Sequence, residues 1–513
     1  MKEIFRLALR NLKEHKSKTI IISLFLVFGV AIVILGNSFL ESINRGLEKD
    51  FRANYTGDLV VAINNPKGMQ IDIFGATSQS MGEIPQIPAI PDLDKVQKIL
   101  DSEDEIASQT RQISAKVIVA KGLELDLNSL LDRDDLSFDD LPISLLFAGD
   151  PDSYWNTFPE VNFVEGRYPE KGTNEVIVDT RVVRSVQGLY REDLKVGDTI
   201  LMMGANTNGV IREAKVVGIF NPPDENSAMF QIIYCDPSLA RSFADLTYAA
   251  SFSQDLPDTV DLSLSEMSED EMFSFDDDGF FDIDDGSDFL SADDSESDFD
   301  NLLGDTTLRD ELNKTDDGAW HFILAKLKHT GQTAKVIARL NTKFAEEGLN
   351  VHVMDWKAAA YSYSGTVEGL GFIFNLLIII LAIVVFIIIM NTMTVSVIER
   401  TGEIGTMRAI GADKKFVKSL FYTEALSLTF VSSIVGTILA FIIMAIFNSC
   451  NITITNSIAK MILGGGLLHF SPTPKIVIMT ILIALFGTFI SNKYPVSSAL
   501  KITPLKALSK GSD

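Results

Sequence analysis

Four stretches of the chain hold long apolar runs with almost no charge inside them, and between them polar and apolar positions alternate. A helix crossing the hydrocarbon core needs about 20 largely apolar residues. The runs predict membrane-spanning helices over 19–40, 369–394, 420–447 and 474–492. The first run has no charge, the second has Asn375 as its most polar member, and the third has Glu424 near its start. The fourth is shorter and borrows Pro474 or Asn492 at its ends. Four such runs argue against buried helices of a soluble core. The first is also too long for the apolar part of a cleaved signal peptide.

Lys and Arg near the helix ends set the orientation. The N-terminal segment holds Lys2, Arg6, Arg10, Lys13, Lys16 and Lys18. The stretch between the second and third helices holds Arg400, Arg408, Lys414, Lys415 and Lys418, and the C-terminal tail Lys493, Lys501, Lys506 and Lys510. The stretch 448–473 has only Lys460. Both termini are therefore expected in the cytoplasm, with 41–368 and 448–473 outside and 493–513 a cytoplasmic tail. Residues 1–18 read as an interfacial helix, with Phe5, Ala8, Leu9 and Leu12 on one face. The third helix carries Ser432, Gly436 and Ala440 at four-residue spacing, which lets helix backbones approach closely in lipid. That stripe is either a packing seam, within the chain or against a second subunit, or plain helix composition.

Residues 41–368 mix strand and helix patterns. Strands are expected at 58–63, 113–120, 175–179, 199–202, 214–220, 320–327 and 351–354, and helices at 93–100 and 332–347. The last three make a β-α-β pattern. The expected fold class is an α+β membrane protein: four transmembrane helices plus a large extracytoplasmic domain of an α/β subdomain with an inserted mainly-β subdomain near 143–240.

Charge changes this picture at one place. The net charge is −25, but residues 251–305 hold 20 Asp and Glu and no Lys or Arg, so the remainder carries −5. Such a segment buries too little to offset chain entropy and is expected to be a disordered insertion. Asp282, Asp284, Asp285 and Gly286 do not match the spacing of an EF-hand calcium loop. Two cysteines, Cys235 and Cys450, build neither a disulfide framework nor a zinc site. No G-x-x-x-x-G-K-S/T occurs, and Gly464–Gly466 lacks the lysine. G-x-S-x-G and H-E-x-x-H are absent too, and the five histidines form no catalytic pattern. No metal site, catalytic residue or enzyme activity is expected. No basic patch lies outside the membrane flanks, so nucleic acid is not an expected partner.

The short cytoplasmic stretch 395–419 starts where the second helix ends and reads E-R-T-G-E-I-G-T-M-R-A-I-G-A over 399–412. Ile404, Met407 and Ile410 sit at three-residue intervals and could form one apolar edge, flanked by Glu403 and Arg408. Gly405 and Gly411 would allow tight turns. This is a compact docking element by composition, although a solvated loop obeying the positive-inside rule has the same composition.

The same run resembles the signature of FtsX-like, MacB-type ABC transporter permeases, including the lipoprotein-releasing (LolC/LolE-like) branch. LALRNL over 7–12, FVEGRYPEKGTNEVIVD over 163–179, LKVGDTI over 194–200, KVVGIF over 215–220 and YPVSSALKITPLKAL over 494–508 are similar to further parts of that family. The resemblance covers most of the chain except 251–305. It implies mechanotransmission. A separate cytoplasmic ATPase dimer would bind ATP and Mg, since this chain shows no ATPase domain and is expected to bind no cofactor itself. A pair of permeases, identical or paralogous, would carry the motion through the first two helices to the outside. The implied coupling residues are Glu399, Arg400, Glu403, Ile404, Gly405, Met407, Arg408, Ala409, Gly411 and Ala412. The implied setting is the bacterial cytoplasmic membrane, with membrane lipid and a periplasmic carrier or adaptor as further partners. The expected activity is release or export of lipoproteins. The alternatives are export of a peptide or small amphiphile, or activation of a cell-wall hydrolase.

Overall fold

The computed structural model describes residues 6, 10, 16–64, 69–78, 86–121, 143–190, 193–205, 210–222, 231–246, 314–452 and 469–500. The interfacial face of 1–18, the acidic insertion, Gly464–Gly466 and the tail beyond 500 lie outside these residues. Among the described residues, four helices are long and apolar enough to cross a membrane. They are α1 (Lys16–Asn54), α8 (Tyr361–Glu399), α10 (Lys414–Cys450) and α11 (Pro474–Ser491). Pro474 opens α11, where its missing N–H has no helical partner to lose.

Helix α1 has 39 residues. At 1.5 Å per residue that is roughly 58 Å, about twice the hydrocarbon thickness. The sequence pattern ends the span near residue 40, but the helix continues because 41–54 is amphipathic. Ile43, Leu47 and Phe51 face a buried core at four-residue spacing. On the other side Glu41 pairs with Arg45 at 2.9 Å and Glu48 with Arg52 at 2.6 Å, both i,i+4 pairs. The first membrane helix thus rises out of the bilayer as a stalk.

The outside domain is built on β1 (Leu59–Ile63), the hairpin β2 (Met69–Asp72) and β3 (Gly75–Ser78), α2 (Leu93–Asp101), β4 (Ile106–Ala120), β5 (Ile143–Gly149), α3 (Tyr154–Thr157), β6 (Asn162–Gly166), β7 (Glu175–Asp179), α4 (Thr180–Tyr190), β8 (Thr199–Gly204), β9 (Ile211–Asn221), β10 (Gln231–Cys235), α5 (Pro237–Phe243), β11 (Phe322–Leu327), α6 (Thr333–Glu346), β12 (Val351–Asp355) and α7 (Trp356–Ala359). One sheet runs β12-β1-β11-β4-β5-β10-β7-β9-β6, with β8 pairing β4 and β9. In the first four strands, β1–α2–β4 and β11–α6–β12 interleave as two split β-α-β units, a ferredoxin-like arrangement. Val96 and Leu100 of α2 and Val336, Leu340 and Phe344 of α6 cover that part of the sheet.

The inserted strands do not form a detached body. Strand β4 pairs with β11 over its first half and with β5 and β8 over its second, so one 15-residue strand belongs to both subdomains. The α/β-plus-inserted-β reading stands, with β4 shared between the two parts of one sheet. A third core lies beneath the sheet, where Phe51 and Tyr55 from the end of α1 meet Phe74, Trp356, Tyr363 and Val367. The start of α8 is therefore tied to the end of α1 inside the outside domain.

Candidate functional site

The charged segment after α8 is helical rather than a loop. Glu399 closes α8, Arg400 leaves helical geometry at φ −94° and ψ 17°, and α9 (Thr401–Ala409) begins at once. The end of α9 is a Schellman cap. Gly411 N–H donates to the Arg408 carbonyl at 3.2 Å and Ala412 N–H to the Met407 carbonyl at 3.0 Å. Gly411 takes φ +106°, which a residue with a side chain rarely adopts. Gly405 sits buried in the middle of α9, so the expected turn exists at Gly411 and not at Gly405.

The three-residue apolar edge is also corrected. Ile404 is buried against Val417, Phe421 and Val496, with Met407 packed beside it. Ile410 is 83% exposed and does not join them. A helix repeats every 3.6 residues, so a spacing of three carries the third position off the shared face. Ile410, the residue that caps α9, is exposed, as are Glu403, Thr406 and Ala409 within it. Arg408 falls in the last turn of α9, where a cation complements the helix dipole.

Arg400 holds the segment down. It is only 4% exposed. Its Nη1 donates to both carboxylate oxygens of Glu424 at 3.1 Å, and its Nε donates to Glu403 at 3.1 Å. The guanidinium lies 5.5 Å from the centre of the Phe421 ring. Glu424 is the lone charge in the apolar run of α10, and a buried carboxylate requires such a partner. Sequence reasoning named Arg400 as a coupling residue but not Glu424, Phe421, Val417 or Val496. The isolated Glu424 was the signal that could have found the pairing. Glu403 is 58% exposed on its side chain and presents its other face to solvent.

The small-residue stripe of α10 faces α1 of the same chain. Ser432 and Ser23 share a hydrogen bond of 2.8 Å. A Cβ on Gly436 would stand 2.6 Å from the Val27 carbonyl oxygen, so only glycine permits this approach. Ala440 is buried with Val30, Ala31, Ile34 and Met444. Thus α10, which receives Arg400 at the end remote from the outside domain, is packed along the stalk helix.

At the other end, the β2–β3 hairpin clasps the start of α8. Asp72 Oδ2 accepts from the Ser362 N–H at 2.8 Å and from its hydroxyl at 2.5 Å, while Oδ1 accepts from the Phe74 N–H at 2.9 Å. Ile73 N–H donates to the Ala359 carbonyl at 2.9 Å. Burial pushes the Asp72 carboxyl upward, and these donors pull it back.

Residues 19–274 match the family described as MacB-like periplasmic core domain, and 375–504 match FtsX-like permease C-terminal. An uncharacterized ABC transporter permease of Bacillus subtilis, YvrN, is 22% identical over 86% of this chain and 87% of its own length. The macrolide export ATP-binding/permease protein MacB of Mannheimia succiniciproducens is 28% identical over 35% of this chain. The matched part spans only 27% of that MacB. The crystallised periplasmic region of MacB from Actinobacillus actinomycetemcomitans aligns over 62% of this chain and 96% of its own, at 10% identity and a TM-score of 0.28. The two family matches together take in both the outside domain and the membrane helices that carry α9, and the chain belongs to the FtsX-like, MacB-type permease family.

Proposed function

We propose that this permease is the membrane subunit of an ATP-driven exporter, working as a pair with a cytoplasmic ABC ATPase that docks on α9. The chain sits in the bacterial cytoplasmic membrane with both termini inside. One observation carries the reading. Helix α8 runs unbroken from Tyr361, beside the outside domain's aromatic core, to Glu399, with Arg400 alone between it and α9. A push on α9 therefore reaches the outside domain through a single helix, with α1 packed alongside it and α10 packed along α1. The exposed Glu403, Thr406 and Ile410 are the contact face, and Arg400 is a positioning residue that holds α9 on α10.

The substrate is an amphiphile, with an acylated protein as its first class. A groove of about 960 Å³ opens between α1, α8 and α11. Apolar residues such as Val33, Ile379, Ile383 and Met479 wall it, and Glu41, Arg45 and Lys475 stand among its lining. That combination suits an apolar chain with a polar head.

Glu403→Lys and Arg408→Glu test the coupling. Exposed charges at an interface contribute modestly to affinity but steer association. Each variant is expected to reach the membrane folded, to retain the ATPase less well in pull-down, and to lower ATPase stimulation and export severalfold. Wild-type behaviour of both variants in all three assays would remove α9 as the coupling element.

A further inference from the structure

The groove between α1, α8 and α11 changes character along its length. Glu41, Arg45 and Lys475 stand at one end. That end lies toward the outside domain, where the Ser471 N–H just before α11 donates to the Ser42 hydroxyl of α1 at 2.7 Å. Two amides come next, Asn37 on α1 and Asn375 on α8. They share a level, because their chain neighbours Gly36 and Phe374 touch: a Cβ on Gly36 would run into the Phe374 ring.

The charges at the polar end do not cancel. Arg45 Nε donates to Glu41 at 2.9 Å, so those two neutralise each other. Lys475 is exposed and makes no ion pair with any described residue, which leaves the end with one net positive charge. The Nη groups of Arg45 stand beside it without a described partner. A guanidinium and an ammonium together suit the oxygens of a phosphate.

The amides add a second requirement. Asn375 interrupts the apolar run of α8, is exposed on that helix and has no hydrogen bond to any described residue. An amide facing hydrocarbon is unfavourable without a partner, and lipid tails offer none. Asn37 spends one N–H on the Val33 carbonyl at 2.9 Å and keeps the other. Both ask for an acceptor just below the charged end. Past them the walls are apolar down to Leu26, three turns of α1 further on, which is about 16 Å. Half of the hydrocarbon core is about 15 Å. Thr480 and Thr488 on the α11 wall donate to the Ile476 and Ala484 carbonyls and need nothing from an occupant.

We infer that the groove holds an anionic glycerophospholipid of the surrounding membrane, which rests on the reading of this groove as an amphiphile site. The phosphate lies at Lys475 and Arg45, the ester carbonyls accept from Asn37 and Asn375, and an acyl chain fills the apolar length. Charge, acceptor and chain follow one another in the lipid as cation, amide and apolar wall do in the groove. A zwitterionic lipid brings its own ammonium to an end that already has an excess of positive charge, and Glu41 is taken by Arg45. A fatty acid supplies the charge but leaves the amides without an acceptor.

Native mass spectrometry of the full-length protein in detergent tests this without the ATPase, using equal amounts of phosphatidylglycerol and phosphatidylethanolamine with the same acyl chains. Wild type is expected to retain phosphatidylglycerol about threefold to fivefold over phosphatidylethanolamine, the scale of an exposed ion pair. Lys475→Gln should remove that preference while both lipids still bind and the melting temperature stays unchanged. Ether-linked phosphatidylglycerol has no ester carbonyls. It should bind wild type severalfold more weakly than the ester form, and the double variant Asn37→Leu, Asn375→Leu should bind both forms alike. A Cβ on Gly487 would meet nothing within 4 Å, so Gly487→Phe can fill the groove without disturbing α11 and should lower retention of every lipid. The proposal is overturned if wild type retains both head groups equally, if Lys475→Gln keeps the preference, or if ether and ester forms bind wild type alike. Equal retention that Gly487→Phe still abolishes removes the anionic ligand and leaves the amphiphile site standing. Retention that Gly487→Phe does not lower removes the groove as a site, and the export reading of it falls too.

Discussion

The two ends of helix α8 are held in different ways. At the outer end, Tyr363 and Val367 sit in a core with Phe51, Phe74 and Trp356, while the β2–β3 hairpin adds hydrogen bonds from both backbone and Asp72. At the other end, the next segment rests on Val417, Phe421 and Val496 and on the Arg400–Glu424 pair. A densely packed core resists deformation, because its side chains have few alternative arrangements. A short helix on a small cluster and one ion pair can tilt while breaking few contacts. The difference puts the yielding joint at α9 and the rigid joint in the outside domain.

The largest effects should separate the two joints by where damage spreads. Phe51 is fully buried, with its ring 5.3 Å from Tyr363 and 5.7 Å from Phe74. Phe51→Ala is expected to destabilise the outside domain by about 3–5 kcal/mol. Arg400→Ala leaves the Glu424 carboxylate buried without a cation, a loss of similar size, about 3–5 kcal/mol. Its reach is different. Hydrogen exchange in nanodiscs should show faster exchange through β1, β11 and β12 for Phe51→Ala, and only in α9 and the start of α10 for Arg400→Ala. Combining Arg400→Leu with Glu424→Leu should recover most of the protection, since an apolar pair leaves no stranded charge. Loss of protection in the outside domain of Arg400→Ala would break the comparison.

A smaller effect probes the outer region through pH. His321 precedes β11, is buried, and accepts from the Ser114 N–H through Nδ1 at 3.3 Å. Burial pushes its imidazole from 6.5 down to about 3. The lowered value means that the folded domain favours neutral His321, so its contribution is present above about pH 6.5 and is lost as pH falls toward about 3. Acidifying to about pH 4.5 should therefore destabilise the outside domain by about 2–3 kcal/mol more in wild type than in His321→Asn. Urea melts of both proteins at the two pH values measure this, and parallel pH profiles would refute it.

What could be read in the sequence follows from what each signal depends on. The membrane helices were legible because uncharged runs of that length have few other uses. The stalk was not, since Glu41, Arg45, Glu48 and Arg52 read as the end of a span, whereas they line the solvent face of a helix whose other face is buried. Strands β5 and β10 escaped because ISLLFAG and QIIYC are covered on both faces and lack alternation. In α9 the residues were found but their directions were not. Which of Ile404, Met407 and Ile410 turns inward is decided by Val417, Phe421 and Val496, two of them at the start of the next helix and one beyond the fourth. Arg400 was found among the coupling residues but its pairing was not, because Glu424 lies 24 residues further on.

The smallest effect sharpens the comparison at its most specific bond. Asp72 joins the β2–β3 hairpin to the first turn of α8 by accepting from the Ser362 N–H and hydroxyl with one oxygen and from the Phe74 N–H with the other. All three partners are donors. In Asp72→Asn one oxygen becomes an NH2 group, which can accept from none of them, so at least one donor is left facing another donor. A buried group stranded this way costs about 1–3 kcal/mol. The aromatic core around Phe51 and Tyr363 is untouched, so the domain should stay folded while the amides of 361–367 exchange faster. Asp72→Ala should behave alike, because the donors lose their acceptor in both cases. If neither variant changes exchange at 361–367, the aromatic core alone fixes the outer joint, and the hairpin can move without the helix.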